Sequence, residues 1–403
     1  MERAKDLDGR VTEVVETLEH ELPGYDTEVL GEFVRRLLSR VPAERLEQAE
    51  PGIVGQEAVS LLRLIERTGP DAIGVTLRRL PEQPHRAVLQ TVMSDCAFIV
   101  ETLREMLAAE GFSILALLHP VLSVGRDQEG SVSFIGGKEA EGVRTSATMA
   151  LIEGHIEPGA EGVIEAEVGR RLGQVQGATS DFRSMLEVAG EIVQDLEDLK
   201  KELDWREAEL EEIQEFLGWL QDGNFVFLGY REYDIRHGDG DQREVQLRRG
   251  SSKGILRDEA SSKVYEALPF EELPDELRAR VLGGPLLMVS KTNALSPVHR
   301  RERMDDVSIK RLGPDGVVLG ERRFLGLFTA KAFAQDASST PILRRKLAEI
   351  LEAEPGRRPY RDRDGRRHGS GHGVEPRVPR VPGRDASGRQ PVAEGWNRCP
   401  AGG

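Results

Sequence analysis

The sequence predicts an α+β fold of several successive domains. Apolar residues recur at helical spacing up to residue 68, whereas short apolar strands alternate with helices from residue 86 onward. About 350 residues precede a change of composition at Pro355, which is enough for two or three domains. We expect a helical region (1–75), a ferredoxin-like domain (80–180), a long heptad helix (181–222), an antiparallel-sheet domain (223–345), a truncated helix (346–354) and a disordered tail (355–403).

The chain is acidic, with a net charge of −15 over 403 residues. Its tail from Pro355 has the opposite balance, with eleven arginines and five acidic residues, so the part before it is more acidic still. Such a surface is poorly suited to nucleic acids and to anionic membranes. The tail also lacks Leu, Ile, Met and Phe, which a folded core would need.

The sequence has no apolar run of the ~20 residues that span a membrane, and its start lacks the apolar core of a signal peptide. The two cysteines, Cys96 and Cys399, form no framework of disulfides or zinc ligands. We therefore expect a cytoplasmic protein.

Three amphipathic helices account for the N-terminal region, with breaks at Pro23-Gly24, before Pro42 and at Gly69-Pro70. After Arg86 the predicted order is strand, helix, strand, strand, helix, strand, which is the ferredoxin-like plan. The corresponding ranges are 87–92, 95–110, 112–125, 145–157, 160–172 and 174–179.

A heptad pattern over residues 184–221 predicts one helix of ~38 residues, about 57 Å long, broken in pattern only at Arg206. Either this helix packs against its own chain or its seam pairs subunits, in which case a fragment 180–222 would self-associate. The seam residues are Met185, Ala189, Ile192, Leu196, Leu199, Leu203, Leu210, Ile213, Leu217 and Leu220.

Alternating strands then predict one antiparallel sheet, which resembles sensor modules such as PAS domains. A Gly-Pro-Asp-Gly turn at 313–316 predicts its clearest hairpin. Ser338-Ser339-Thr340-Pro341 is expected to cap a final helix that reaches Leu351. The predicted strands are 224–234, 244–248, 286–290, 306–312, 317–319 and 324–328.

The loop Met93-Ser94-Asp95-Cys96 is the candidate ligand site, because it joins the first strand to the first helix of the ferredoxin-like unit. Asp95 can cap that helix, and this alone explains its presence. The alternative is that Met93, Ser94 and Asp95 contact a small ligand near the helix N-terminus. Cys96 has no basic neighbour in sequence, which indicates a structural residue.

No other motif points strongly to chemistry. The sequence contains no phosphate-binding glycine pattern, and its eight histidines do not recur at metal-ligand spacing, so we expect no catalytic residue, cofactor or metal site. Gly136-Gly137-Lys138 reads as a turn, and His119 as a packed or hydrogen-bonded residue. His299-Arg300-Arg301 with Arg303 is either a solvated loop or a contact for an anion or a partner domain.

Five segments in order resemble the N-terminal region of the large bacterial NAD-specific glutamate dehydrogenases. They are Gly111-Phe112-Ser113-Ile114-Leu115-Ala116-Leu117-Leu118-His119-Pro120-Val121-Leu122, the stretch Asn224 to Asp234 with Phe227-Leu228-Gly229-Tyr230-Arg231-Glu232-Tyr233, Val298-His299-Arg300, Gly320-Glu321-Arg322-Arg323-Phe324-Leu325-Gly326-Leu327-Phe328-Thr329, and Pro341-Ile342-Leu343-Arg344-Arg345-Lys346. The resemblance spans roughly residues 85–351.

This resemblance implies an ACT-like regulatory domain near 85–180 and a PAS-like domain to about 345. It also implies a homo-oligomeric parent enzyme that oxidises L-glutamate to 2-oxoglutarate and ammonia with NAD. The catalytic domain of such an enzyme lies downstream, so we expect this chain to regulate and assemble, with 185–220 as the subunit contact and an amino acid as effector.

The tail suggests a shifted reading frame at about codon 354, since GC-rich DNA read out of frame gives Arg, Gly and Pro. A genuine disordered tail is the alternative. A different function also stays open: a free-standing ACT/PAS-type protein that senses a ligand and dimerises.

Overall fold

The computed structural model describes residues 2–39, 41, 51–137, 140–237, 243–275, 278, 283–336 and 340–344. These form two compact units. The first comprises the described residues within 1–188 and 226–327, and the second comprises those within 189–225 and 328–344. The predicted truncated helix, the arginine-rich tail and residues 338–339 of the predicted cap lie outside the described residues.

The N-terminal region is helical, as predicted, with α1 at Glu2–Glu21, α2 at Thr27–Leu38 and α3 at Pro51–Arg67. Asp26 caps α2, since its side chain accepts a hydrogen bond from the Glu28 N–H. The helices bury one apolar face each, and that face includes Val14, Leu18, Phe33 and Leu62.

The first sheet follows, with six strands among the described residues and two helices on one side. Its strands are β1 (Gly74–Leu80), β2 (Gln83–Ser94), β3 (Ser113–Leu118), β4 (Val121–Arg126), β5 (Val132–Gly136) and β6 (Val143–Glu153). The order is β1-β2-β6-β4-β5, and β3 also pairs with β6. Helices α4 (Ile99–Ala109) and α5 (Glu161–Ser180) complete this part.

The structure corrects the predicted plan at its last strand. Residues 174–179 belong to α5, and the edge beside β2 is held by β1, which precedes β2 in the chain. Gly173 and Gly177 lie within α5, where a Cβ on Gly177 would stand 3.2 Å from the Gly254 carbonyl oxygen. Glycine at position 177 thus lets the backbone of Gly254 approach the helix closely.

The predicted strand 112–125 is two strands with a break at His119-Pro120. Both parts pair antiparallel with β6, β3 through 149–153 and β4 through 143–146. Proline cannot donate to the ladder, yet its carbonyl still accepts a hydrogen bond from the Ala147 N–H at 3.1 Å.

Helices cover both faces of the first sheet. On one face Val92, Leu122 and Val124 join the apolar cluster of α1–α3. On the other face Leu89, Met93 and Ala150 join a cluster with α4 and α5. Alternation along β2 explains this, because successive side chains of a strand point to opposite faces.

The second sheet has seven strands among the described residues, in the order β10-β8-β7-β13-β12-β11, and β9 also pairs with β7. Their ranges are Phe225–His237 (β7), Arg243–Leu247 (β8), Lys253–Gly254 (β9), Leu268–Pro269 (β10), Leu287–Leu295 (β11), Arg303–Leu312 (β12) and Val318–Phe328 (β13). The hairpin at 313–316 is confirmed, with Gly316 at φ 78. The predicted strands 317–319 and 324–328 are one continuous strand.

Helices α4 and α5 lie between the two sheets. The apolar cluster on their surface contains Leu89 and Ala150 of the first sheet together with Leu228, Leu325 and Leu327 of the second. Within the first unit the two sheets therefore share one hydrophobic core.

The prediction of one long helix at 184–221 is wrong. The chain forms α6 (Phe182–Lys200) and α7 (Glu207–Trp219), with a 3₁₀ turn at Asp204–Arg206 between them. The two fold back antiparallel, since the Gln214 side-chain amide donates to the Val193 carbonyl at 2.8 Å. A short helix, α8 (Ala330–Phe333), follows β13.

The turn at Asp204–Arg206 lies where Arg206 interrupts the apolar heptad pattern. A continuous helix would place the Arg206 guanidinium among the apolar residues of the seam, and in the structure Arg206 is the last residue of the turn. The seam is satisfied within the chain, because Ile192, Leu196 and Leu210 are buried. None of the helices in the described ranges combines the length and hydrophobicity that crossing a bilayer requires.

Candidate functional site

The candidate site is the contact region between the two sheets of the first unit. It joins the β2–α4 loop, the C-terminal end of α5, the chain after β9 and the loop 296–302 before β12. We call it the junction and define it by Asp95, Cys96, Phe98, Thr102, Thr179, Asp181, Arg257 and His299.

Asp95 does not cap α4, contrary to the expectation. The helix begins at Ile99, and its N-cap position is taken by Phe98 without a side-chain cap. The Asp95 N–H donates to the Arg144 carbonyl at 2.9 Å and its carboxylate pairs with the Arg144 guanidinium at 2.5 Å. Asp95 therefore extends the β2–β6 ladder by one residue.

Met93 and Ser94 are the last two residues of β2, directly before the β2–α4 loop. Met93 is buried in the shared core, and the Ser94 hydroxyl donates to the Pro70 carbonyl. Both line a small cavity of about 10 Å³ together with Thr68, Arg126 and Thr145. This is at the lower limit for one water molecule. Ligand contact by Met93, Ser94 and Asp95 stays a prediction.

Cys96 is half-buried against the shared core and its thiol is hydrogen-bonded to the Thr179 side chain. Burial raises the pKa of the thiol, and the Thr179 hydrogen bond only partly opposes this. A thiol held in its neutral form is a poor nucleophile, which agrees with a structural role.

Phe98 and His299 meet ring against ring, with centroids 4.7 Å apart. Both have left-handed backbones, with φ 72 at Phe98 and φ 68 at His299. Thr102 connects them, because its N–H donates to the Phe98 carbonyl at 3.0 Å and its hydroxyl accepts from the His299 N–H at 2.9 Å. The loop 296–302 thus contacts the first turn of α4.

Asp181 makes the second link between the sheets. It follows the last residue of α5 and accepts a hydrogen bond from the Gly254 N–H at 2.7 Å. Its two oxygens also pair with Arg257, at 2.7 and 3.1 Å. Burial opposes ionisation of Asp181, but these hydrogen bonds outweigh it and lower the pKa of the carboxyl.

The position of Gly254 requires glycine. Its φ is 63, and a Cβ there would stand 2.1 Å from the Leu228 carbonyl oxygen. The bare backbone lets β9 reach both β7 and the C-terminal end of α5.

The junction offers packing and hydrogen bonding rather than a reactive group. Within the described ranges no three His, Cys, Asp or Glu side chains stand close enough to hold a metal. Its cysteine is held neutral, and its one histidine packs against an aromatic ring at an interplanar angle of 45°. This arrangement is suited to transmitting a change of structure between the sheets.

The structure bears on two other residues that the sequence singled out. The prediction for His119 is confirmed, since its Nε2 lies 2.7 Å from the Ser146 hydroxyl. For His299, the partner-domain alternative matches the contact with Phe98 and Thr102, whereas Arg300 pairs with Glu302 at 3.4 Å. Gly136 ends β5, and Lys138 of the proposed turn lies outside the described residues.

The sequence reasoning missed Asp181, Arg257 and a buried charge cluster on the second sheet. In that cluster Glu232 Oε1 lies 2.9, 3.3 and 3.5 Å from nitrogens of Arg248, Arg311 and Arg322. No local pattern distinguishes these residues from solvated charges, because their partners come from distant strands.

Three known proteins that resemble this chain share one enzyme name. Residues 33–166 match the glutamate dehydrogenase ACT1 domain. NAD-specific glutamate dehydrogenases of Halomonas elongata and Pseudomonas aeruginosa are each 30% identical to the chain, over 329 and 338 residues. Each alignment covers 79% of this chain and 20% of the relative. The enzyme of that name from Mycobacterium tuberculosis is 25% identical over 276 residues, covering 66% of this chain and 16% of the relative.

The chain spans about a fifth of the length of the curated relatives it matches. The matched domain contains β2, α4 and the start of α5, and therefore half of the junction. The chain is similar to the N-terminal part of NAD-specific glutamate dehydrogenases, and its residues 33–166 match the glutamate dehydrogenase ACT1 domain.

Proposed function

We propose that this chain is the regulatory and assembly part of an NAD-dependent glutamate dehydrogenase. The parent reaction converts L-glutamate, NAD and water to 2-oxoglutarate, ammonia and NADH. The observation that carries the proposal is the ACT1 match, together with the shared core that joins this domain to the second sheet. A change at the β2–α4 loop would then reach the second sheet through side chains that already touch.

In this proposal NAD is bound elsewhere in the parent enzyme, and the second sheet is a PAS-like module. The effector is an amino acid, contacted by Met93, Ser94 and Asp95. Copies of the chain associate through 185–220, although the apolar seam faces the hairpin interior, so contact between copies would use its outer faces.

The first test is catalytic. The purified chain is mixed with L-glutamate and NAD, and NADH is followed by its absorbance. We expect none, because hydride transfer needs nicotinamide aligned with the substrate carbon. NADH formation above a blank without enzyme would contradict the proposal, whereas binding of NAD without turnover would contradict only the expectation that NAD is bound elsewhere.

The second test is regulatory. Thermal unfolding is measured with each common amino acid, since a ligand at 100 times its Kd stabilises by about 2.7 kcal/mol. We expect one amino acid to raise the Tm of the unmodified chain. It should not raise the Tm of the Asp95→Asn variant, in which the ion pair with Arg144 is lost. Asp127→Asn, in the β4–β5 turn, is the control that keeps the shift. No shift with any amino acid would refute the effector.

A further inference from the structure

The loop 296–302, which contacts α4, is held by hydrogen bonds within the loop itself. The Ser296 hydroxyl donates to the Val298 carbonyl at 2.6 Å, and the Ser296 N–H donates to the Glu302 carbonyl at 2.7 Å. Val298 is buried in the shared core. The loop therefore presents His299 at a fixed place, against Phe98 and Thr102.

This contact covers the Phe98 end of the β2–α4 loop, whereas Ala97 of the same loop is exposed. Its Phe98 ring lies against His299, and its Cys96 is hydrogen-bonded to Thr179 of α5. The first turn of α4 is also occupied, because the Thr102 hydroxyl accepts from the His299 N–H. Any molecule that contacts the covered face of the Phe98 ring or the Thr102 hydroxyl has to displace loop 296–302 first.

We propose that the Phe98–His299 contact is a latch that holds the β2–α4 loop closed against the second sheet, and that protonation of His299 opens it. The geometric reason is the imidazole Nδ1, which is buried and has no hydrogen-bond partner among the described residues. A proton added there creates a buried donor and a charge without an acceptor, and withdrawal of the loop into water relieves both costs.

The groups around His299 set the direction of the effect. Burial lowers the pKa of the imidazole, and the neighbouring Arg300 lowers it further. Glu101 and Glu105 of α4 and Glu302 of its own loop act in the opposite sense and are outweighed. Asp95 of the β2–α4 loop is held by Arg144.

The lowered pKa of His299 in the closed form determines how the latch responds to pH. The closed form binds a proton less readily than an open form whose histidine titrates near its usual value of about 6.5. The latch is therefore stable above that value and weakens as the pH falls below it. The open population should rise as the pH falls from 7.5 to 5.5, by at most about tenfold, because an open-form pKa near 6.5 sets that ceiling.

The experiment measures how well the closed β2–α4 loop protects its own Cys96 from a thiol reagent. The full chain carrying Cys399→Ser is treated with dithiodipyridine, a thiol reagent that also reacts in acid. Each rate is divided by that of the urea-unfolded chain in the same buffer, which removes the titration of the thiol itself. We expect protection of Cys96 to fall from pH 7.5 to pH 5.5, by at most about tenfold.

Two variants make the test specific. His299→Asn keeps a residue that tolerates the left-handed backbone but cannot be protonated, so its protection should not change with pH. Phe98→Gly keeps the backbone and removes the ring, so protection should be low at both pH values. Circular dichroism reports whether the whole chain stays folded.

Three results would overturn the latch: constant protection in the parent chain, the same fall in His299→Asn, or full protection in Phe98→Gly. The use of the latch in regulation rests on the proposed function, but its existence does not. Because the readout needs neither NAD nor an amino acid, failure of the latch and failure of the regulatory role are separate outcomes.

Discussion

Phe98 and His299 hold left-handed backbones although neither is glycine. Such conformations cost roughly 1–2 kcal/mol each for an L-residue, so the surrounding contacts must compensate. Thr102 supplies them, with a hydrogen bond to each of the two residues. At the residue scale the junction is therefore distinguished by its left-handed backbone conformations. Residue type does not predict these, because residues other than glycine seldom adopt them.

Arg126 ties the helical region to the first sheet. Its guanidinium donates to the carbonyls of Ile65, Glu66 and Thr68 at the C-terminal end of α3, and to Gly130. We expect Arg126→Met to lower the free energy of unfolding by about 2–3 kcal/mol, because these carbonyls lose charged donors. Urea unfolding measures this.

The matched control is Arg170→Met on α5, which removes an exposed pair with Glu167. Pairs of this kind contribute little, so the change should be much smaller than for Arg126. Equal effects would show that Arg126 does not act as a helix cap.

Asp181 should make stability depend on acid pH. At pH 7 we expect Asp181→Asn to cost about 1–3 kcal/mol, because Gly254 and Arg257 lose a charged acceptor. The lowered pKa means that the carboxylate contributes fully above its unfolded value of about 3.9, and that this contribution disappears as the pH falls through the folded pKa.

Urea midpoints of Asp181→Asn and the parent chain, compared from pH 7 to pH 3, should therefore converge below about pH 4. Glu266→Gln, which removes an exposed pair with Arg249, is the control and should follow the parent at every pH. A gap that stays constant would assign the effect to packing.

At the scale of elements, the heptad pattern of 184–221 is compatible with two structures, one long helix and the hairpin of α6 and α7. An antiparallel hairpin and one long helix place apolar residues at the same spacing, since both bury one stripe. The polar Arg206 and the turn at 201–206 decide between them, and the Lys200–Glu211 pair at 3.5 Å closes the hairpin near its tip.

Spin labels can verify the hairpin. Cysteines introduced at Gly190 and Gly218, with Cys96 and Cys399 replaced by serine, would stand about 42 Å apart in one helix. In the hairpin the two positions lie on facing helices, and we expect a separation below about 20 Å. Labels at Glu187 and Asp198, within α6, provide the control at about 17 Å.

At the scale of the whole molecule, the first unit is organised around helices that serve two sheets. Residues of β2, β6, β7 and β13 meet in one apolar cluster on α4 and α5. Burial of this kind is the main stabilising term in folding, so neither sheet should keep its structure when the other is lost.

We therefore expect the two sheets to unfold together. Hydrogen exchange measured against urea should give β2 and β13 the same opening free energy, within about 1 kcal/mol. Opening of β13 at a cost several kcal/mol lower would mean that the second sheet is independent. The strand β10, two residues long in the described structure, serves as an internal control and should exchange earlier.

The sequence by itself determined the α+β class, the three N-terminal helices, most strands and the resemblance to glutamate dehydrogenases. These follow from local periodicity, turn residues and ordered motifs such as Gly313-Pro314-Asp315-Gly316. Only the tertiary structure decided that β1 fills the sheet edge, that 184–221 folds back and that His299 covers Phe98. The reason is physical: each depends on partners far apart in the chain, whose proximity no local pattern records.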